Sequence, residues 1–87
     1  MPHPEQARPA ERSFNTKPTT RDIRLDLISV TEWRVCDRRF REPDSRVVLG
    51  FIERHGFDYE VTDVKFPERV KVFAGLASAT ASFTDHD

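Results

Sequence analysis

The side chains that could bind a metal or attack a substrate are few in this chain and stand far apart. The histidines are His3, His55 and His86, and the single thiol is Cys36. No two of these four have metal-ligand spacing, and a thiol acts as a nucleophile only where a base lies close to it. His55 precedes Gly56 and fits a tight turn, because histidine enters the left-handed backbone region more easily than most residues. We therefore predict no metal site, no cofactor and no catalytic residue.

Carboxylates are plentiful, but the sequence does not arrange them as a catalytic pair. Asp58 and Glu60 share one face of a predicted strand. Two acids that cleave a glycosidic bond need a cleft between them, and a chain of this size offers no deep one. The three glycines form no phosphate-binding loop. These observations favour a protein that is not an enzyme.

The basic cluster of the chain surrounds a charged loop at 37–45 (DRRFREPDS). Such a cluster can bind an anionic partner, but the acidic residues of the same loop, Asp37, Glu42 and Asp44, largely neutralise it. A solvated loop is the competing interpretation. The candidate binding surface consists of Arg34, Arg38, Arg39, Arg41 and Arg46.

Length and charge limit the classes of protein to which this chain can belong. Its 87 residues allow one domain. Fourteen Lys and Arg against fifteen Asp and Glu give a net charge of −1, which neither requires nor excludes a nucleic acid partner. The single cysteine, the lack of an apolar run of membrane-spanning length and the lack of a hydrophobic block after Met1 lead us to expect a cytoplasmic protein without membrane contact.

The stretch 47–64 (VVLGFIERHGFDYEVTDV) predicts two antiparallel strands that reverse near Gly56, because β-branched and aromatic residues flank a turn signal. With a two-residue loop, His55-Gly56, one face holds Val48, Ile52, Tyr59 and Val61. With a three-residue loop at 54–56, one face holds Leu49, Phe51, Phe57, Tyr59 and Val61. We favour the three-residue loop because it gathers the larger apolar side chains. In either register, the second face of the hairpin is more apolar than a free surface requires.

Alternating apolar residues predict further strands on both sides of this hairpin. Before it, we expect a weak strand at 23–27 and a stronger one at 29–37, with a bulge or a gap at 27–29. Trp33 should contribute the largest burial to the core. After the hairpin, Val70 and Val72 alternate with charged residues and indicate a last strand at 69–73.

The end of the chain changes from strand to helix spacing. Leu76, Ala79, Thr80 and Phe83 lie on one helical stripe, which predicts a short helix that follows Gly75 and docks on the sheet. At the other end, residues 1–21 contain four prolines and mixed charges, so we expect a flexible arm. The predicted domain spans 22–84, and residues 85–87 should fray. The predicted fold class is α+β: a three-stranded antiparallel meander, with or without a fourth short strand, and one C-terminal helix packed on it.

Two resemblances accompany this pattern. The strings 32–37 (EWRVCD), 49–53 (LGFIE) and 59–61 (YEV) are similar to a group of short uncharacterised bacterial proteins typical of actinobacteria. That resemblance implies one compact cytoplasmic domain and no established activity. Three strands that end in the run Phe73, Leu76, Ala79 resemble the amino-terminal arm-binding domains of phage-type integrases, which present a sheet to the DNA major groove. That resemblance implies DNA contacts from Arg34, Arg38, Arg39 and Arg41.

Two functions follow as expectations. The first is a small non-enzymatic interaction or accessory module, which associates with itself or with a protein partner through an apolar sheet face or a strand edge. The alternative is a nucleic-acid-binding domain that uses its sheet and its arginines.

Overall fold

The computed structural model describes residues 17–84 of the chain. Most of the predicted arm (residues 1–16) and the predicted frayed end (85–87) therefore lie outside the described residues. A 3-10 turn at Thr20–Asp22 leads into the sheet. The strands are β1 (Ile23–Ser29), β2 (Glu32–Asp37), β3 (Val48–His55), β4 (Asp58–Asp63) and β5 (Phe66–Phe73), and the helix is α1 (Leu76–Ala81).

The sheet is a meander in which each strand pairs with the next along the chain. The predicted α+β class, antiparallel sheet and C-terminal helix are confirmed, but the described residues form five strands rather than three or four. Both the weak first strand and the last strand belong to the sheet. The turn between β1 and β2 lies at Val30 and Thr31, inside the stretch 29–37 predicted as the stronger strand, and brings Ser29 opposite Glu32. The predicted bulge is present, since the pairing shifts between Leu27 and Ser29.

The central hairpin reverses later along the chain than either predicted register allows. His55 pairs with Asp58, so the two loop residues are Gly56 and Phe57. Gly56 has a φ of +65°, and no other described residue has a positive φ. A glycine with positive φ at the first central position is the signature of a type II′ turn, whose twist matches that of the flanking strands. The favoured three-residue loop is therefore wrong, because the turn is set by the residue that tolerates a positive φ.

The division of side chains between the two faces nevertheless follows the two-residue alternative. Ile52 pairs with Val61 and Arg54 pairs with Tyr59, so Ile52, Tyr59 and Val61 share a face as that alternative predicted. Relative to that alternative, each residue of β3 pairs with a residue two positions further along β4, and a slip of two positions leaves every side chain on its face. A slip of one position would move each side chain to the opposite face.

The helix closes one face of the sheet. Ala79 and Phe83 are buried with the strand residues of the core, and Gly75 is the N-cap residue, as the sequence predicts. Trp33 is half-buried and packs against the core, with its ring centroid 6.0 Å from that of Tyr59. The six-residue helix lies against β4 and β5. The largest fully buried side chains are Ile52, Val35, Asp37 and Cys36.

Cross-strand partners share a face, so the register divides the strand residues into two sets. The face that α1 covers is called the helix face, and one of its rows is Leu27, Trp33, Ile52, Val61 and Lys71. The opposite side is called the open face. One of its rows is Asp26, Arg34, Phe51, Thr62 and Val70, and the next is Glu32, Glu53, Glu60 and Val72.

Candidate binding surfaces

Two of the predicted surface arginines are held by carboxylates two residues before them. Arg39 donates from Nε and Nη2 to the two oxygens of Asp37 at 3.0 and 2.9 Å, and its backbone N–H donates to the same carboxylate at 3.0 Å. Arg46 and Asp44 repeat this arrangement at 3.0, 2.7 and 2.9 Å. The bidentate contact raises the pKa of both arginines and lowers the pKa of Asp44 to about 2.

Arg34 and Arg38 are also bonded within the chain. Arg34 lies on the open face, 3.1 Å from Asp26 and 3.8 Å from Glu42. Asp26 in turn accepts hydrogen bonds from Arg24 at 2.9 and 3.1 Å, and these two arginines lower its pKa to about 2. Arg38 donates from Nε to the backbone carbonyl of Ile23 at 3.1 Å, which ties the loop to the first strand.

The five candidate arginines therefore do not form one continuous surface. Arg39 and Arg46 line a groove near the helix, with the Arg46 guanidinium 4.1 Å from the centroid of the Phe40 ring. Arg34 lies on the open face, and Arg41 is exposed in the loop. Four of the five stabilise the fold through carboxylates or a carbonyl group, which reduces the charge they can offer to a partner.

The open face carries an apolar patch at its β3–β5 side. Phe51, Val70 and Val72 are 41, 54 and 56% exposed, and Thr62 lies between Phe51 and Val70 in the same row. Adjacent strands are about 4.8 Å apart, so these side chains are close enough to form one continuous patch. The sequence predicts an apolar second face on the hairpin, and Phe51 is the residue of β3 that provides it.

A row of acidic residues runs beside this patch and ends in a histidine. Glu32 pairs with Glu53, and Glu53 pairs with Glu60. His55 Nε2 lies 3.3 Å from Glu53 Oε1 and 3.6 Å from Glu60 Oε1, and the ligand atoms of the three side chains lie within 4.8 Å of one another. Sequence spacing does not reveal this group, because the strand register brings Glu60 to it. The same geometry is an ordinary ion pair when the imidazole is protonated, so it does not by itself indicate a metal.

Cys36 lies on the open side of β2 but is fully buried. Its sulfur is 3.6 Å from Asp26 Oδ2, and burial, followed by the charge of Asp26, raises the pKa of the thiol. A nucleophilic cysteine needs the opposite conditions, a lowered pKa and access to solvent. We therefore assign Cys36 a packing role.

A groove of about 710 Å³ opens on the helix side, between the charged loop, the β4–β5 turn and the residues after α1. Its apolar lining includes Val61 and Phe83, which are 4 and 6% exposed, and its rim includes the aromatic rings of Phe40 and Phe66. The basic residues around it are Lys17, Arg39, Arg46, Lys65, Arg69 and Lys71, and the acidic ones are Asp37 and Asp63. Among these cations, only Arg39 and Arg46 belong to the binding surface that the sequence predicts.

The helices of the described region are all too short to cross a membrane. Comparison with protein-family models, with curated proteins and with solved structures found no match to this chain, so its interpretation depends on its own residues.

Proposed function

We propose that this chain is a small non-enzymatic interaction module that docks through its open face, with a second copy of the chain as its partner. The observation that supports the proposal is the patch of Phe51, Val70 and Val72, each at least 41% exposed on the face opposite α1. Large apolar side chains grouped on an exposed surface are typical of protein interfaces.

The strand positions of these residues make the patch suited to sheet packing. Two sheets pack face to face about 10 Å apart when their facing side chains are apolar. Phe51 and Val70 are two strands apart with Thr62 between them, and Val72 follows Val70 on the same face of β5. A second sheet would thus meet a row of apolar groups rather than one isolated side chain.

The charged groups beside the patch include both signs. Arg34, directly beside Phe51 on β2, is paired with Asp26, and Glu53 and Glu60 lie in the next row of the same face. A copy of the same face therefore brings no unpaired arginine to the interface, and closed dimers use one such surface on both subunits. Five strands span about 24 Å, and strands of this length are also about 24 Å long, so the planar area of the face is about 580 Å², below the roughly 800 Å² per partner of a standard interface.

Size-exclusion chromatography with light scattering tests this proposal on the full chain over a wide concentration range. We expect a concentration-dependent rise in mass toward twice that of the monomer. Val70→Glu places a charge in the patch and should return the protein to the monomeric mass. Phe57→Ser is the matched control, because Phe57 is 93% exposed but lies in the β3–β4 turn outside the patch.

The control should keep the mass of the parent. A monomeric parent at high concentration would contradict self-association, and an equal effect of both substitutions would contradict the assignment to the open face. Circular dichroism of each variant shows whether its fold is retained, since Val70 is half-exposed and its replacement removes little core packing.

Nucleic-acid binding is the alternative prediction, and its candidate contacts were the arginines of the loop and of β2. Of the predicted contacts Arg34, Arg38, Arg39 and Arg41, two face carboxylates of the chain itself, Arg38 binds a carbonyl group, and Arg41 is exposed. Phosphate would have to displace these partners. We therefore do not advance this function.

A further inference from the structure

The groove on the helix side contains more positive charge than its neighbours neutralise. Lys17, Lys65, Arg69 and Lys71 border it, and none of the four forms an ion pair with another residue of the described range. The Arg69 guanidinium lies 4.6 Å from the centroid of the Phe66 ring. Most other arginines of the sheet and the loop, by contrast, have carboxylate partners.

The acidic residues of the groove are already engaged. Asp37 binds Arg39, and the carboxylate of Asp63 accepts the backbone N–H of Lys65 at 2.8 Å. Asp63 keeps its negative charge, but the four cations outnumber it, and neighbouring like charges favour the binding of an anion between them.

The floor of the groove is apolar rather than charged. Val61 and Phe83 are buried core residues, while Val48 and Leu49 are half-buried beside them. Small-molecule sites typically have volumes of about 300–1,000 Å³, an apolar lining and a few charged groups that fix the orientation of the ligand. The volume of about 710 Å³ lies within that range.

We infer that this groove binds an organic anion with an apolar body, whose carboxylate, sulfonate or phosphate group lies among Lys65, Arg69 and Lys71. The apolar body would cover Val61 and Phe83, and the charged group would stay near solvent. This site is separate from the open face, because Lys71 and Val61 are paired on the helix face. The inference therefore does not depend on the proposed self-association.

The aromatic rings at the rim argue for this ligand over single-stranded nucleic acid. Proteins that bind single strands offer aromatic faces on which bases stack. Here Arg46 covers Phe40 at 4.1 Å, and Arg69 covers Phe66 at 4.6 Å. An oligonucleotide would find phosphate contacts but would compete with the chain's own arginines for these rings.

Titration of the full chain with anilinonaphthalene sulfonate, an aromatic sulfonate that fluoresces in apolar sites, tests the inference. We expect saturable binding with one probe per chain, displacement by decanoate or decyl phosphate, and weakening as salt rises. Whichever of the two competitors binds more tightly identifies the preferred charged group. Lys71→Glu should weaken probe binding by about tenfold or more, because it replaces attraction with repulsion at the groove.

Arg54→Glu is the matched control, since Arg54 is an exposed cation that does not border the groove. It should leave probe affinity within about twofold, because charges beyond a Debye length are screened. Phe51→Ser, which alters the open face without changing the charge, should also leave it unchanged, which separates this site from the open face. Thermal unfolding of each variant should remain cooperative, so that binding of the probe to a loosened core is excluded.

Four outcomes would overturn the inference. The first is no saturable binding by a folded parent. The second is equal displacement by decyltrimethylammonium, which would indicate an apolar surface without charge selection. The third is equal displacement by inorganic phosphate, which would indicate a plain anion site, and the fourth is tighter binding of decathymidylate than of decanoate, which would assign the groove to nucleic acid.

Discussion

The carboxylate of Asp37, only 2% exposed, holds the guanidinium of Arg39, which is 12% exposed, through paired hydrogen bonds of 3.0 and 2.9 Å. Asp44 and Arg46 repeat the same i, i+2 geometry in the same loop, but their side chains are 30 and 60% exposed. One sequence pattern, Asp-x-Arg, thus occurs once inside the fold and once at its surface. The two pairs have the same chemistry and different surroundings.

Asp37→Asn should be strongly destabilising. The substitution removes one partner of a buried ion pair and leaves Arg39 without full compensation, which typically costs about 3–5 kcal/mol. Among the described residues, Asp22 also approaches Arg39, with an oxygen 3.8 Å from Nε, and at that distance it replaces only part of the contact. Urea denaturation of the parent and the variant measures the loss.

Asp44→Asn is the control for this prediction, because it breaks the same hydrogen bonds at an exposed site. It should lower the stability much less, since exposed ion pairs contribute little in water. A double replacement of Asp37 and Arg39 by Leu and Met should recover much of the loss. Equal effects of the two asparagine variants would contradict a role for burial.

Gly50→Ala tests the contact between the helix end and the sheet. A Cβ at Gly50 would clash with the backbone carbonyl of Thr62 and lie 2.7 Å from a ring carbon of Phe83. Overpacking against a backbone atom and a buried ring typically costs about 1–3 kcal/mol. Thermal unfolding should show the loss, whereas Gly75→Ala, whose Cβ has no neighbour closer than 3.9 Å, should cost less than about 1 kcal/mol. A parent-like melting temperature for Gly50→Ala would show that Phe83 can leave this position freely.

Cys36 should be almost unreactive in the folded protein. Its side chain is fully buried and its thiol has a raised pKa, so a reagent reaches the thiolate only after local or global unfolding. The rate of reaction with a chromogenic disulfide should be at least about 10³-fold lower than in 6 M guanidinium chloride, given the usual stability of small domains. A rate within tenfold of that of the unfolded chain would contradict the packing role.

Acid should destabilise the fold in a defined pH window. Asp26 and Asp44 have pKa values lowered to about 2 by their arginine partners, from an ordinary value of 3.8. Because the unfolded chain binds protons first, the stability from these carboxylates is complete above about pH 4 and is lost as the pH falls toward 2. Urea denaturation at several pH values should show this decline, and Asp26→Asn should make it shallower. If the stability is lost entirely above pH 5 as the pH falls, groups other than these two carboxylates are responsible.

Local pattern was sufficient for the antiparallel meander and the terminal helix. Alternation of apolar residues marks strand faces because successive side chains point to opposite sides, and the spacing of Leu76, Ala79 and Phe83 marks a helical stripe for the same geometric reason. The turn at Val30 and Thr31, which contains neither glycine nor proline, was not predicted. Such a turn is stabilised by pairing of the flanking strands, which composition does not show.

The candidate surfaces could be predicted only in part. The arginine content around residues 37–45 predicts a binding surface there. Carboxylate partners across the strands and two residues earlier in the chain decide which of those charges are neutralised. The groove cations Lys65, Arg69 and Lys71 belong to no sequence motif, so the sequence does not distinguish them from ordinary surface residues. They share a groove with Lys17 because the β4–β5 turn and the start of the described chain meet beside α1.

The sequence by itself determined which segments become strands and helix, and which turn residue accepts a positive φ, because these depend on neighbours along the chain. Only the tertiary structure decided the register, the burial of Asp37 and Cys36, the apolar patch at Phe51 and the groove with its unpaired cations. These features depend on which strand lies beside which and on how little of the sheet a six-residue helix can cover.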